Sequence, residues 1–372
     1  MKHKLKHRHI ALFFMLFLLI FTSCGSVTQP EQEMTSEQVT TVEQDSSLDS
    51  SMASTLQVHY IDVGQGDATL LVCDGHAMLI DAGNNDKGTA VQSYLMSQNI
   101  TFLDYVIGTH PDADHIGGLD VVITKFDCGT IFLTDEEKDT NTYRDVVDAI
   151  NYRGYTKTVP NVGDTYVLGD ACFTIIGPTE LGMDSNGNSI AIVLQHGENR
   201  FYFEGDAEET EEETILATGI DISANVYKAG HHGSKTSTSD ALLESVAPQY
   251  AVISVGEGNK YGHPDAETLN KLRAKGIQVF RTDEQGTIVA TSDGNTISWN
   301  CSSSETWQSG EVSGSSLDDA ADVATETVHI TNTGEKYHAA GCRYLKDSDI
   351  EIPLSEAKNR GYTPCSQCNP PQ

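Results

Sequence analysis

The stretch "GTHPDADHIGG" (residues 108–118) decides how this sequence is read. It places His110, Asp112, Asp114 and His115 within six positions, directly after the apolar run "YVI". Neutral imidazoles and carboxylates together suit Zn, Mn or Fe. Charges crowded at the end of a buried strand without such an ion would cost several kcal/mol each. The competing reading is an exposed acidic turn, since Pro111 and the two aspartates are common turn residues. The density of ligand-type side chains favours the metal.

Working outward, "LDYVIGT" reads as a strand ending at the motif and "HIGGLDVVITKF" as the helix leaving it. Upstream, "LQVHYIDV", "ATLLVC" and "AMLID" are strands, followed by a helix near "GTAVQSYLMSQ". Downstream come strand "CGTIFLT", a helix near "YRDVVDAINYRG", and strands "ACFTIIG", "SIAIVLQ" and "RFYFEGD". Strand "ANVYKAG", helix "SDALLESV", strand "YAVISVG", helix "AETLNKLRAKG" and strands "QVFRT", "GTIVATS" and "NTISWN" complete the body. Two β-rich halves, each with helices, imply layered α/β sheets.

Four other stretches add chemistry at strand ends. "FYFEGDAEE" (201–209) offers Asp206, which can bridge two metals about 4 Å apart or serve as N-cap of the helix "AEETEEETILA". "VYKAGHHGSKTSTSD" (226–240) offers His231 and His232 as ligands or general acids, with Lys235, Ser237 and Thr238 as partners for phosphate oxygens. A polar loop capped by Ser239 or Asp240 explains that stretch equally well. "NKYGHPDAET" (259–268) sets His263 just before a Pro-initiated helix. "IDVGQGDATLL" (61–71) and "LIDAGNN" (79–85) place Asp62, Asp67 and Asp81 in glycine-rich strand ends, where hairpin turns are the plain alternative.

In this order the stretches resemble the metallo-β-lactamase superfamily, and most closely the hydrolase domain of ComEC-type competence proteins. The motifs "IDVGQGDATLL", "LIDAG", "THPDADHIGGL", "GNSIAIVL", "FEGDAE", "AGHHGSKTSTS" and "YGHPDAETL" carry the resemblance across residues 56–300. It implies an αββα four-layer sandwich with a dinuclear metal-activated water. By position, His110 and Asp112 would hold one metal, and Asp114 and His115 the other. Asp206 would bridge them, His263 would complete the second site, and Asp81 would orient a ligand. Asp62 and Asp67 would support the site, and His231 or His232 would bind metal or protonate the leaving oxygen, with Lys235 beside them. The sequence departs from the pattern twice: Asp112 replaces a histidine, and "SNGNSI" puts Asn188 or Ser189 where a histidine ligand is usual. A more oxygen-rich site tilts the two divalent ions from Zn toward Mn or Mg.

The formal net charge of −31 is unevenly spread. Residues 1–24 carry four bases and no acids, residues 25–55 and 301–327 six acids each and no bases, and residues 328–372 five of each, leaving −23 over residues 56–300. So acidic a body repels phosphate backbones at long range. Residues 1–24 join a basic "MKHKLKHRH", an apolar "IALFFMLFLLIF" too short to span comfortably, and "TSC". This resembles a lipoprotein signal with Cys24 lipidated, the alternative being an uncleaved anchor, and either places the body outside the cytoplasmic membrane. Residues 25–55 and 301–327 read as solvated linkers.

The last unit, 328–372, contains His338-x3-Cys342 and Cys365-x2-Cys368. Three thiolates and an imidazole can close a structural Zn site, which so small a unit needs. Disulfides would leave one of the three cysteines unpaired. The unit resembles Ada-like Zn-binding modules appended to exported bacterial nucleases. Cys73, Cys128, Cys172 and Cys301 are scattered, and buried thiols are expected for the first three.

Three functions follow. The first is an exported, membrane-tethered or secreted, metal-dependent phosphodiesterase acting on DNA or RNA, with no protein partner. The second is a hydrolase of the same fold acting on a small ester, lactone, amide or nucleotide. The third is a non-catalytic protein binding surface DNA or a wall ligand.

Overall fold

The computed structural model describes residues 54–310, 327–331, 334, 336–346, 348–354, 357, 362–368 and 370. The signal-like segment with Cys24, the first linker up to residue 53 and residues 311–326 of the second lie outside the described residues. Among the described residues no helix is long and apolar enough to cross a membrane.

The body opens with an antiparallel meander of β1 (Leu56–Tyr60), β2 (Thr69–Cys73) and β3 (His76–Ile80). Helix α1 (Gly88–Ser97) leads to β4 (Phe102–Ile107), parallel to β3. Then come α2 (Ala113–Ile116), α3 (Leu119–Lys125), β5 (Asp127–Phe132), α4 (Asn141–Tyr152) and the short β6 (Lys157–Thr158). Helix α4 begins where Thr140 Oγ1 accepts the Tyr143 backbone N–H at 3.2 Å, and it buries Val146, Ala149 and Ile150.

The second half runs β7 (Thr165–Leu168), β8 (Ala171–Gly177), β9 (Ala191–His196) and β10 (Asn199–Phe203) as antiparallel neighbours. Helix α5 (Glu209–Ala217), β11 (Val226–Lys228), α6 (Asp240–Val246), β12 (Tyr250–Ile253), α7 (Ala266–Ala274) and β13 (Gln278–Arg281) follow, and β10 to β13 are parallel. The last hairpin, β14 (Ile288–Ser292) and β15 (Ile297–Trp299), returns to the first sheet beside β1. Strand orders are therefore 15-14-1-2-3-4-5-6 and 13-12-11-10-9-8-7.

Three apolar clusters define the layers. One joins Leu56, Val58 and Tyr60 of β1 to Ile192 and Leu194 of β9 and Val252 of β12, between the sheets. A second packs Leu70, Leu79 and Val106 against helix residues Val91, Val122 and Val146. The third packs Ala191, Val193, Ala251 and Ile253 against Ile215, Leu242 and Leu269. Alternate residues of one strand thus bury on opposite faces, which is why these strands read as unbroken apolar runs. The result is the expected αββα sandwich.

The C-terminal unit pairs β16 (Thr327–Ile330) with β18 (Ile350–Pro353), and β17 (Lys336–Tyr337) with β19 (Thr363–Pro364). All seven described cysteines are unpaired; Cys73 and Cys128 are buried, whereas Cys172 and Cys301 are half-buried. The expectation for Cys172 fails in degree because β8 lies beside the edge strand β7, where cover is incomplete.

Candidate metal centre

The chemistry gathers where β3, β4, β10, β11 and β12 end, the carboxyl edge at which parallel strands hand over to loops. Asp81 follows β3 in the left-handed region, φ 58°. Its Oδ1 accepts the Thr109 backbone N–H (2.9 Å), and its Oδ2 accepts Thr109 Oγ1 (2.7 Å) and faces His115 Nδ1 (2.9 Å). A carboxylate there fixes Nδ1 of His115 as the donor and leaves the Nε2 lone pair pointing away. That Nε2 meets Asp206 Oδ2 at 3.1 Å. His110 is equally buried, its Nδ1 lying 3.2 Å from the hydroxyls of both Thr109 and Ser189.

The second sheet supplies the other wall. Gly205 adopts φ 58°, and a Cβ there would stand 2.9 Å from Ser189 Oγ, the atom that accepts the Asp206 backbone N–H at 3.0 Å. Helix α5 is capped by Glu208, whose backbone N–H donates to Glu211 Oε2 at 3.3 Å. Asp206 is therefore not the cap that the sequence allowed, and its carboxylate is left for the centre. His231 and His232 both hold left-handed backbones, φ 47° and 54°, a conformation costing roughly 1–3 kcal/mol for a non-glycine residue. His232 Nδ1 donates to the Ser254 carbonyl (2.9 Å), and its Nε2 stands 3.5 Å from Asp114 Oδ2 and 3.6 Å from Asp206 Oδ2. His231 is partly exposed, with Nε2 3.7 Å from Asp206 Oδ2 and Nδ1 3.3 Å from Glu208 Oε1.

Nε2 of His110, His115 and His232, Oδ1 of Asp206 and Oδ1 of Asp67 are buried without a hydrogen-bond partner. Each would cost roughly 1–3 kcal/mol if left so; the grouping of the imidazoles with Asp206 fits bound cations, whereas Asp67 Oδ1 faces His232 Nδ1 at 3.3 Å. Two triads, His110–His115–Asp206 and Asp114–His115–His232, bring one ligand atom from each member within 4.8 Å of the others. Burial alone would lower both His115 and His232. Asp206 and Asp81 nevertheless hold His115 well above its usual value, and Asp206 and Asp67 push His232 up to about 10. Burial, reinforced by His115, lowers His110 to about 4 and keeps its imidazole neutral. Asp114 is held at about 2, its burial outweighed by His232 and His115.

Other expected residues stand outside these two triads. Asp112 is one-third exposed (33%), paired with Lys138 Nζ, and belongs to none of these triads. His263 is buried beside His231, ring centroids 5.6 Å apart, and its Nδ1, 3.4 Å from Asp265 Oδ2, has no hydrogen-bond partner. Lys235 is exposed. Asn188 donates from Nδ2 to Glu136 Oε2 (2.8 Å) and accepts the Gly182 N–H (2.7 Å), so Ser189, not Asn188, faces His110. Asp62 is exposed and accepts the Gly64 N–H in a local turn (2.9 Å). Ser237 and Thr238 are buried and donate to or share bonds with Ala207 O and Tyr227 OH. The sequence reading overlooked Thr109, Ser254, Glu208, Lys138 and Lys228; only Lys228, a charge at the end of an apolar strand, left a signal.

In the C-terminal unit, His338, Cys342, Cys365 and Cys368 also bring one ligand atom each within 4.8 Å of one another. Cys342 Sγ lies 3.3 Å and Cys368 Sγ 3.8 Å from His338 Nδ1, a donor set that fits tetrahedral Zn.

The chain is similar to several known proteins. ComE operon protein 3 of Bacillus subtilis is 29% identical over 260 residues, covering 64% of this chain and 33% of that protein. Recombination protein 2 of Haemophilus influenzae is 31% identical over 240 residues, covering 63% and 28%. The chain thus spans about a third of the length of these curated relatives. The solved metallo-beta-lactamase fold protein YhfI of Bacillus subtilis aligns over 64% of this chain and 100% of its own, at 12% identity and a TM-score of 0.44. The metallo-beta-lactamase superfamily model matches residues 61–257, which run from the end of β1 past β12 and contain every member of both triads. With more than half of the sequence matched and the fold and ligand-bearing strand ends in place, the chain belongs to the metallo-beta-lactamase superfamily, a fold that implies divalent metal ions.

Proposed function

We propose that this protein is an extracytoplasmic, membrane-tethered, metal-dependent phosphodiesterase that cleaves DNA or RNA, with residues 56–300 as the hydrolase domain and 328–372 as a Zn-stapled module. The observation that carries the hydrolytic reading is the convergence of the buried Nε2 atoms of His115 and His232 on Asp206 and Asp114, with His110 grouped beside His115 and Asp206. Support for nucleic acid comes from relatives named for competence and recombination. The tether rests on the signal-like segment and Cys24.

His110, His115, Asp206, Asp114 and His232 are the residues that would hold two divalent ions, Mn, Mg or Zn. Ions in such a set supply Lewis acidity toward a phosphate ester and lower the pKa of water. Asp81 and the Ser254 carbonyl hold His115 and His232 in one tautomer, each with Nε2 facing inward. His231 is partly exposed and braced by Glu208, so it can hand a proton to the leaving oxygen. Asp112 and Lys138 stand at the rim, where the lysine can meet a phosphate oxygen.

The test is cleavage of labelled single- and double-stranded DNA and of RNA by the full chain with Mn, Mg or Zn, and Asp114→Ala as control. Metal-dependent cleavage that the variant loses is the expected result. The charge of −23 over residues 56–300 favours one rival, a small uncharged or singly charged ester. Turnover of small esters with no action on nucleic acid would establish that reading instead.

A further inference from the structure

Lys228 ends β11 with only 3% of its side chain exposed. Its Nζ lies 2.7 Å from Asp67 Oδ2 and donates to the Ala229 carbonyl at 2.9 Å. So enclosed a cation touches no substrate. The other oxygen of Asp67 stands 3.3 Å from His232 Nδ1 and has no hydrogen-bond partner. Asp67 itself is placed by Gly66. A Cβ at that glycine would meet the Asp114 carbonyl oxygen at 2.4 Å, the same oxygen that accepts the Asp67 N–H at 3.0 Å.

Two further triads overlap the centre, and both contain Asp67: one with Asp81 and His115, the other with Asp206 and His232. The first is spent, because both oxygens of Asp81 are engaged by Thr109 and His115. The second is spatially as good as the two triads assigned above. What separates it from them is the ammonium already seated on Asp67. A divalent ion using Asp67 would have to share it with the ammonium on Oδ2 or approach Oδ1 on the Nδ1 side of His232, where the Ser254 carbonyl already takes the proton, and a buried Lys–Asp pair is costly to break from either side.

We infer that Lys228 is an internal counter-ion that withholds Asp67 from the metal centre, and so restricts the ions to Asp206 and Asp114. Lys228 is thus a positioning residue: it acts by deciding which carboxylates are free. The inference rests on the metal centre proposed above and not on the substrate. It extends to Asp67, whose part is to balance Lys228 and flank His232.

The experiment is titration of Mn2+ alone into the metal-free full chain, with free Mn2+ followed by electron paramagnetic resonance and folding by circular dichroism. Lys228→Met frees Asp67, so it binds Mn2+ about tenfold tighter or takes up one more equivalent. Asp67→Asn leaves the ammonium facing the centre and binds about tenfold more weakly, within the range of second-shell changes. The double variant removes both charges and returns to within about threefold of wild type. A merely structural pair would weaken binding in both single variants. That outcome, or a folded Lys228→Met with unchanged affinity and stoichiometry, overturns the inference. If Lys228→Met does not fold, a double variant binding no tighter than Asp67→Asn overturns it as well. A wild-type chain that takes up no ion removes the centre itself, a failure distinct from the others.

Discussion

The chain carries two clusters of metal-ligating side chains, and they stand in opposite relations to the structure around them. The one around Asp206 hangs from the ends of five strands in two sheets, over a core running from Leu56 to Ala290. Its imidazoles are oriented by a carboxylate, hydroxyls and a backbone carbonyl before any ion arrives. The one at His338 sits in a unit whose apolar cluster is Val328, Ile330, Tyr337, Ile352, Leu354 and Ala357, with strands of two to four residues. In the first, the fold makes the site; in the second, the core is so small that a bound ion would have to make the fold. Ligand chemistry follows the same division, thiolates selecting a soft, permanent ion and carboxylates a hard, exchangeable one.

The largest expected effect breaks the comparison if it fails. Structural zinc sites contribute roughly 10–16 kcal/mol of apparent binding energy in small units, more than a cluster of six apolar residues can replace. Cys365→Ser should therefore lose bound zinc and leave the C-terminal unit open to protease, while the melting transition of the body stays in place. Chelation should do the same. A body that unfolds with the module, or a module that survives without zinc, would show that the two clusters are not of different kinds.

Next in size is catalysis at the preformed site. His231→Ala should lower kcat by about 10²–10⁴-fold, with metal content unchanged because His232, not His231, is turned into the ligand set. Equal loss of metal in this variant would assign His231 as a ligand. Asp81→Asn should weaken Mn2+ binding about 10–100-fold with little loss of stability, measured by calorimetry.

Most of the sandwich was legible in the sequence because strands buried on both faces must be apolar throughout, as "SIAIVLQ" and "YAVISVG" are. Strands β6 and β7 were not, since "KT" and "TYVL" are short edge segments with little to bury. Nor was the return of β14–β15 to the first sheet, because hairpin residues do not encode which neighbour they join. Within the site, ligand types were visible as His and Asp at strand ends. Their orienting partners were not, because the Ser254 carbonyl is backbone and Thr109 and Glu208 are ordinary residues until three-dimensional contact gives them a role. Local spacing also could not separate His231 from His232; the division of roles proposed above rests on one being braced by Glu208 and the other by a carbonyl.

The preformed site should also respond to pH in a defined direction. In the metal-free protein, Asp206 and Asp67 keep His232 protonated up to about pH 10, against the effect of burial. An ion entering at neutral pH must displace that proton, so its affinity should rise with pH, by about tenfold per unit for each proton released. Calorimetry in buffers of different ionisation enthalpy reads the proton count directly. A zinc-stapled module saturated at all these pH values would contrast with it, since its ion is not exchanging. Flat affinity across pH 6–9 would mean that neither His115 nor His232 gives up a proton to the ion.

The smallest effect lies where the buried scaffold gives way to its rim. Lys138 and Asp112 pair at the mouth of the centre with side chains about one-third exposed (32% and 33%). Exposed pairs of this kind contribute roughly 0–1 kcal/mol, so Lys138→Ala should leave folding and metal content alone. If the lysine meets the phosphate, the variant should raise KM about two- to fivefold with kcat unchanged, and added salt should shrink the difference. The direction separates two roles that the pair could have. Should Lys138 instead hold Asp112 away from the ions, its removal would tighten Mn2+ binding, as Lys228→Met is expected to do deeper in the site. A rim lysine and a core lysine would then act alike, and withholding carboxylates would be a general device of this centre.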